Sequence, residues 1–426
     1  MAHVAGKFGA SCCPQVCSTK SGAQITTVQD ADNAAHFVRL LTYLPGEPFA
    51  TFTPHSPALL EQFGKFMGRM STALAGFEHP AGKQYLKWNM ANAPHEINRH
   101  IEHIIAPERR ALVESFLDQY EKQAAPQLPE LRTSIIHGDA NDHNILVGCE
   151  GVDAKISGII DFGDIVESYT ACDLAIAVAY AILDKANPIS AAAHIVRGYH
   201  SIFPLTETEI ELLYDFICMR LCLSATMSSY QQKMEPDNAY LKISEKPAWA
   251  ALEILRSIHP RFAHYVFRHA CGLPPCPAFE SVQKYLKNNA PQIRPVIDLV
   301  LKTTSKHVFD LSIGSTEFPN DGGEYEAQRF TDLLFGRMRQ ANAKVGVGRY
   351  NEARRFYLGD AFKTGDDEYQ EWRTIHVGID LFLEPGAPIF APLDGTVHSF
   401  RNNATPFDYG PAIILEHTFD NGSIKF

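Results

Sequence analysis

The run His137-Gly138-Asp139-Ala140-Asn141-Asp142-His143-Asn144, followed by Asp161-Phe162-Gly163-Asp164, constrains the fold of this chain more than any other feature. Between the two polar loops lie short apolar segments, Ile145 to Val147 and Ile156 to Ile160, where the helical period of the preceding residues breaks off. They read as a strand pair, and a tight hairpin delivers its second loop to the end from which the first departed.

A His-Gly-Asp turn or an Asp-Phe-Gly turn alone is common loop chemistry, because Gly and Asp favour turns for backbone reasons. Together, in this order, they supply what phosphoryl transfer needs. One carboxylate must orient and deprotonate an attacking hydroxyl, and further oxygens must hold Mg²⁺ against nucleotide phosphates. Asp139 suits the first role, Asn144 and Asp161 the second, and His137 supports the loop.

Around this insert the pattern is mostly helical. Leu59, Leu60, Phe63, Phe66 and Met67 share a helical face, and Ile101 to Tyr120 forms a second such stretch. Leu174 to Leu183, Ile189 to Tyr199, Glu207 to Ser224 and Ala248 to Ser257 also read as helices, the third opened by the capping-box pattern Thr206-Glu-Thr-Glu209. Nearer the N-terminus, Ala23 to Val28 and His36 to Leu44 flank the turn-rich Asp30 to Asn33 and predict a hairpin ended by Pro45-Gly46. After about Thr303 a mixed, polar stretch reads as a linker with some structure. From Trp372 onward Pro385-Gly386, Asp394-Gly395 and Asn421-Gly422 punctuate short strands, including Ile389 to Ala391 and Ala412 to Leu415.

Composition narrows the function classes. A chain of 426 residues with 45% apolar residues and a net charge of -11 is ordinary for a globular protein and disfavours a phosphate-coated partner, so neither nucleic acid nor a membrane surface is expected. Leu174 to Leu183 is too short to span a bilayer, and the first residues carry no basic-then-apolar signal, so a cytoplasmic location with reduced thiols is expected. Cys12, Cys13 and Cys17 read as incidental thiols in a loose N-terminus, because no second Cys or His pair follows at finger spacing.

The loop His137-Gly-Asp-x4-Asn144 and the Ile160-Asp161-Phe162 setting resemble the aminoglycoside phosphotransferase and choline kinase superfamily. Asn141-Asp-His-Asn-Ile-Leu146, Val38-Arg-Leu-Leu-Thr-Tyr-Leu-Pro-Gly46 and Phe267-Arg-His-Ala-Cys-Gly272 resemble its hydroxylysine kinase branch. The resemblance covers roughly Ala23 to Leu301. It implies an α+β, protein-kinase-like fold, a purine held by backbone groups at Thr42, Tyr43 and Leu44, GTP or ATP as donor, and a small amino alcohol or amino acid such as 5-hydroxylysine as acceptor. Asp142, Asp164 and Glu167 are candidate contacts for the acceptor's amine, and Asp173 reads as the anchor of a helix start. The fold normally places a glycine-rich loop and a strand Lys before the hinge. Here Lys7 and Lys20 are the lysines before Thr42, and neither lies in a Val-Ala-Ile-Lys-like strand, so the N-terminal lobe reads as truncated.

Near the C-terminus, His376-Val-Gly-Ile-Asp380 and Pro385 to Val397 resemble the lysostaphin and LytM type of zinc peptidase core, in which the His and Asp bind zinc. A hydrolytic site needs three protein ligands, and the later His-x-His segment of that family does not appear before Phe426, so His376 and Asp380 read as vestigial and zinc is not expected. The expected organisation is a kinase N-lobe remnant over 1–45, a mainly helical C-lobe over 46–303, a linker over 304–365 and an incomplete all-β domain over 366–426. The leading function is small-molecule phosphotransferase. An inactive pseudokinase-type binding protein is the alternative, and a lysostaphin-type peptidase the third reading.

Overall fold

In the computed structural model, the apolar helix faces expected between Ser56 and Ser257 close on one another to form the core of the first of two units, Met1–Cys276; the second is Pro277–Phe426. The structure describes all residues except 151–152, 236–244, 319–326, 355, 358–361, 363–371, 405–407, 421 and 423.

The first unit opens with helix α1 (Ala2–Phe8) and strands β1 (Val16–Cys17), β2 (Thr26–Gln29), β3 (Ala35–Val38), β4 (Leu40–Leu41) and β5 (Glu47–Pro48). The N-terminus is not loose. Val4, Cys12 and Cys13 are buried, and Phe8 packs on Phe66 with ring centroids 4.8 Å apart. The expected hairpin forms between β2 and β3, its turn held by the Asp30 carboxylate, which accepts the Asp32 and Ala34 N–H groups. The second expected segment breaks at Arg39, and Leu40–Leu41 pair with Val16–Cys17 instead.

Then follow α2 (Pro57–Leu74), α3 (Ala93–His100), α4 (Pro107–Gln123), β6 (Thr133–Ile136), β7 (Ile145–Glu150), β8 (Asp153–Ile159), β9 (Val166–Tyr169), α5 (Ala171–Ala181), α6 (Pro188–Ile202), α7 (Glu207–Met234), α8 (Glu245–Arg256) and α9 (Pro260–Ala270). The start of α4 lies later than expected because Pro107, which lacks an N–H, takes its first turn. Helix α7 opens on the expected capping box and runs past Ser224 to Met234, with Ala225 to Ser228 still in or beside the core. A helix buried on every side is a core helix. No helix among the described residues is long and apolar enough to cross a membrane.

Helices α2 and α6 approach closely through glycine. A Cβ on Gly64 would lie 1.9 Å from the Ile195 carbonyl oxygen, and one on Gly198 would lie 2.0 Å from that of Glu61.

The second unit contains α10 (Phe279–Asn288), β10 (Lys306–Phe309), α11 (Ala327–Gln340), β11 (Val345–Gly348), β12 (Glu352–Ala353), β13 (Ile375–His376), β14 (Asp380–Phe382), β15 (Thr396–Asn403), β16 (Gly410–Glu416), β17 (Thr418–Phe419) and β18 (Ile424–Lys425). β10 and β11 run parallel on either side of α11 in sequence, and β14 adds antiparallel to β11. Phe309, Leu311, Phe318, Leu334 and Met338 form a separate core. The described part of 304–365 is therefore folded domain and not linker, and the division falls at Pro277 instead of after 303, because this stretch buries its apolar residues within the second unit. Ile389 makes a single bridge to Ile297 where a strand was expected; the domain start expected at 366 and the Asn421 of the Asn421-Gly422 turn lie outside the described residues.

Two of these contacts are testable. Gly64→Ala is expected to lower stability by about 2 kcal/mol, overriding the ~1 kcal/mol gained from helix propensity, because backbone must move to admit the methyl. A melting midpoint at or above the parent's would show that the helices can separate freely. Asp173→Ala should cost about 3 kcal/mol, since it strips the acceptor from two buried N–H groups, those of His137 and Gly138. An unchanged midpoint in thermal unfolding would refute that anchoring.

Candidate active site

The pairing of β7 with β8, Ile145 opposite Ile159, brings the two polar loops to one end of the hairpin. The Ile160 N–H donates to the Asn144 carbonyl at 2.9 Å, so Asn144 and Asp161 leave the sheet side by side. Strand β6 leads into the first loop and β9 carries the chain from the second loop into α5.

Asp173, in the first turn of α5, was expected to anchor a helix start. Its fully buried carboxylate instead accepts the His137 and Gly138 N–H groups, both at 2.9 Å, and so anchors the loop to the helical core. Gly138 is required there. Its φ is +81°, and a Cβ would stand 2.3 Å from the Asp164 carbonyl oxygen. His137 is buried as a support: its Nδ1 accepts the Asp139 N–H, so Nε2 carries the proton and donates to the Ile160 carbonyl at 3.1 Å, while Phe162 meets the ring edge-on.

Asp139 is held from three sides. Asn141 Nδ2 and Asn144 Nδ2 both donate to its Oδ2 at 2.9 Å, and Arg220 donates to its Oδ1 at 2.8 Å. Asn141 Oδ1 accepts the His143 and Asn144 N–H groups, which closes the loop on itself. Because Asn144 spends its amide nitrogen on Asp139, its side-chain oxygen is left for a cation. Asp161 sits at φ 57° and accepts the Gly163 N–H with Oδ1, which leaves Oδ2. Two oxygen donors at one end of a strand pair form a donor set that fits Mg²⁺.

Asp164 joins this group. Burial raises its carboxyl above the usual range, Asp139 and Asp161 raise it further, and Arg220 opposes them. Asp142 stays on the loop with Oδ1 buried and without a hydrogen-bond partner among the described residues, and burial pushes its carboxyl up to about 6. Glu167, on β9, lies apart and is exposed to a cavity of about 670 Å³ shared with His79 and Lys83. A neighbouring cavity of about 640 Å³ is bordered by Phe162 and Gly163, with Gln15, Arg39 and His79 on its other walls. Of the expected hinge residues, Thr42 spends its N–H on the Gln15 carbonyl at 2.9 Å, Tyr43 is 85% exposed, and Leu44 packs against Gly158.

Arg220 is the member of the site that the sequence reading missed. Its signal was present: a lone charge in the apolar run Ile217-Cys-Met-Arg-Leu-Cys-Leu223 demands a buried partner.

In the second unit, His376 and Asp380 do come together, Nε2 to Oδ1 at 3.4 Å, but not as an open metal site. Arg354 lies 2.6 Å from Asp380 Oδ2 and donates to Glu352 at 3.0 Å, and the Tyr357 hydroxyl is 2.6 Å from His376 Nδ1. Among the described residues no group of three or more His, Cys, Asp or Glu could hold a metal. A guanidinium stands against the carboxylate where zinc would need it, so these residues do not fit the ion.

Residues 7–212 match the phosphotransferase enzyme family. The chain is 33% identical over 254 residues to the hydroxylysine kinase of Mus musculus, covering 56% of this chain and 67% of that protein. To the hydroxylysine kinase of Danio rerio it is 35% identical over 217 residues, covering 50% and 61%. A microcompartment-associated aminopropanol kinase of known structure aligns at 18% identity and a TM-score of 0.43 over 62% of this chain and 78% of that one. The chain spans about two thirds of the length of the curated relatives it matches. The match of residues 7–212 and the likeness to the hydroxylysine kinase of Mus musculus show that the chain belongs to the phosphotransferase enzyme family of small-molecule kinases.

Proposed function

We propose that the first unit transfers the γ-phosphoryl group of ATP or GTP to a hydroxyl of a small amine-bearing acceptor, with 5-hydroxylysine as the first acceptor to try. The observation that carries this reading is the Asp139 carboxylate, fixed by three donors beside two oxygen groups, Asn144 and Asp161, suited to a hard cation. Relatives whose names state hydroxylysine kinase support the acceptor class.

In this mechanism the acceptor hydroxyl gives its proton to Asp139 as its oxygen bonds to the γ-phosphorus. The bond from that phosphorus to the bridging oxygen breaks, and a nucleoside diphosphate leaves. Asn144 and Asp161 would hold Mg²⁺, which when bound supplies charge neutralisation at the phosphates. Asp164, grouped with Asp139 and Asp161, is the proposed contact for an acceptor ammonium, whereas Glu167 lies apart and Asp142 is turned into the loop. The cavity beside Phe162 and Gly163 has the size of a small-molecule site, and Arg39 on its wall suits a phosphate tail. The Thr42 carbonyl and the main-chain groups of Tyr43 and Leu44 are the proposed purine contacts, the Thr42 N–H being held by Gln15.

One observation favours a second reading, a nucleotide-binding protein without turnover. Lys7 lies in α1 and Lys20 in a turn, so neither of the lysines before the proposed hinge is on a strand. For the second unit, the Arg354 pairing favours a role other than zinc hydrolysis.

Coupled turnover with Mg²⁺, ATP or GTP and 5-hydroxylysine is expected for the purified chain, and Asp139→Asn should lower kcat by about 10³-fold. No turnover with either nucleotide, with a thermal shift on adding it, would select the second reading. Elemental analysis of the dialysed protein is expected to find zinc well below one equivalent. One tightly held zinc per chain, lost in His376→Ala, would contradict the reading of that pair.

A further inference from the structure

Arg220 lies in the middle of α7 with its side chain 2% exposed, and a guanidinium so buried is costly unless its partners compensate it. One terminal nitrogen donates to Asp139 Oδ1 at 2.8 Å and the other to the Trp88 carbonyl at 3.3 Å. The guanidinium carbon stands 5.2 Å from the Trp88 ring centroid and 5.4 Å from that of Tyr180. Two rings and two acceptors therefore fix the orientation of the planar cation. Its Nε finds no hydrogen-bond partner among the described residues, so the two terminal nitrogens carry its hydrogen bonding.

The consequence falls on Asp139. A carboxylate offers about four lone-pair sites. Two are filled on Oδ2 by the amides of Asn141 and Asn144, and one on Oδ1 by Arg220. One site on Oδ1 remains, and the Asp139 side chain keeps 18% exposure through which to present it. The loop amides alone could not fix this. They hold one oxygen, and a carboxylate pinned at one oxygen can still swing the other.

We propose that Arg220, clamped between Trp88 and Tyr180, is the positioning residue that fixes the rotation of the Asp139 carboxylate, so that a single lone pair on Oδ1 receives the acceptor's hydroxyl proton. This rests on the phosphotransferase reading given above. Arg220 touches neither substrate in this arrangement and acts through Asp139, so its loss should slow the chemical step and leave nucleotide binding alone.

Steady-state kinetics of Arg220→Met and Arg220→Lys beside Asp139→Asn test this. Arg220→Met is expected to lower kcat about 10²-fold, the scale of a misoriented catalytic group, with the nucleotide KM within about twofold of the parent. Arg220→Lys keeps the charge but not the fork, and should recover part of kcat; it also carries the test if Arg220→Met does not fold. Loss of turnover in Asp139→Asn with both Arg220 variants at parental kcat would overturn the inference and leave the kinase reading standing. A raised KM at unchanged kcat would also overturn it, since Arg220 would then be a binding residue. If the parent chain shows no turnover, the kinase reading fails, and crystal structures of the parent and Arg220→Lys decide the positioning: a rotated Asp139 carboxylate in the variant is expected, and an unmoved one sinks the proposal.

Discussion

The Asp173 carboxylate, accepting the His137 and Gly138 N–H groups from inside the helical core, is the interaction on which the rest of the site depends. A loop of small and polar residues has no apolar surface with which to hold itself in place. Two charge-assisted bonds to a side chain on α5, itself buried on all sides, give the loop the rigidity of that helix. Burial raises the Asp173 carboxyl, and the nearby His137 and the two amides counter that effect. The left-handed Gly138 then lets the second loop close over the first at the Asp164 carbonyl, a contact that a side chain would block.

Given that anchor, the electrostatics follow from crowding. Asp139, Asp161 and Asp164 share one end of a strand pair, and each additional negative charge there raises the cost of keeping the others ionised. Arg220 offsets part of this from below, out of α7, and Asn141 and Asn144 contribute hydrogen-bond donors without adding charge. What remains is an excess of oxygen donors facing outward. Such an arrangement is suited to a divalent cation and an amine, and poorly suited to an anion arriving without its metal.

The loops were legible because their chemistry is local. His137, Asp139, Asn144 and Asp161 lie within a polar–strand–strand–polar pattern whose geometry a hairpin fixes, and the structure places them together as the spacing implies. Arg220 was not legible as a partner of Asp139, because sequence shows that a buried charge needs a counter-charge but not which one. The N-terminus was misread for a similar reason. Val4, Phe8, Cys12 and Cys13 are too few and too irregular to give a period, and only the docking of α1 on α2 and of Cys12 beside Gly158 of β8 reveals this segment as part of the core. Between 304 and 365 the polar composition concealed a parallel strand pair, because the pairing of β10 with β11 is set by α11 and not by any local turn signal.

The two units each bury an arginine against an aspartate, in different surroundings. Arg220 reaches Asp139 with one nitrogen and leaves a lone pair on the same oxygen, next to the uncommitted oxygens of Asn144 and Asp161. Arg354 is packed over Asp380 so closely that Gly348 can carry no Cβ, which would lie 2.9 Å from the guanidinium and 2.3 Å from the carboxylate, and its Nε is tied back to Glu352. Around Asp139 two amides fill one oxygen and Arg220 takes one site on the other, so the carboxylate stays open to a further partner; around Asp380 the Arg354 guanidinium stands 2.6 Å from Oδ2 and the nearby His376 is engaged by Tyr357, all on the wall of a cavity of about 420 Å³.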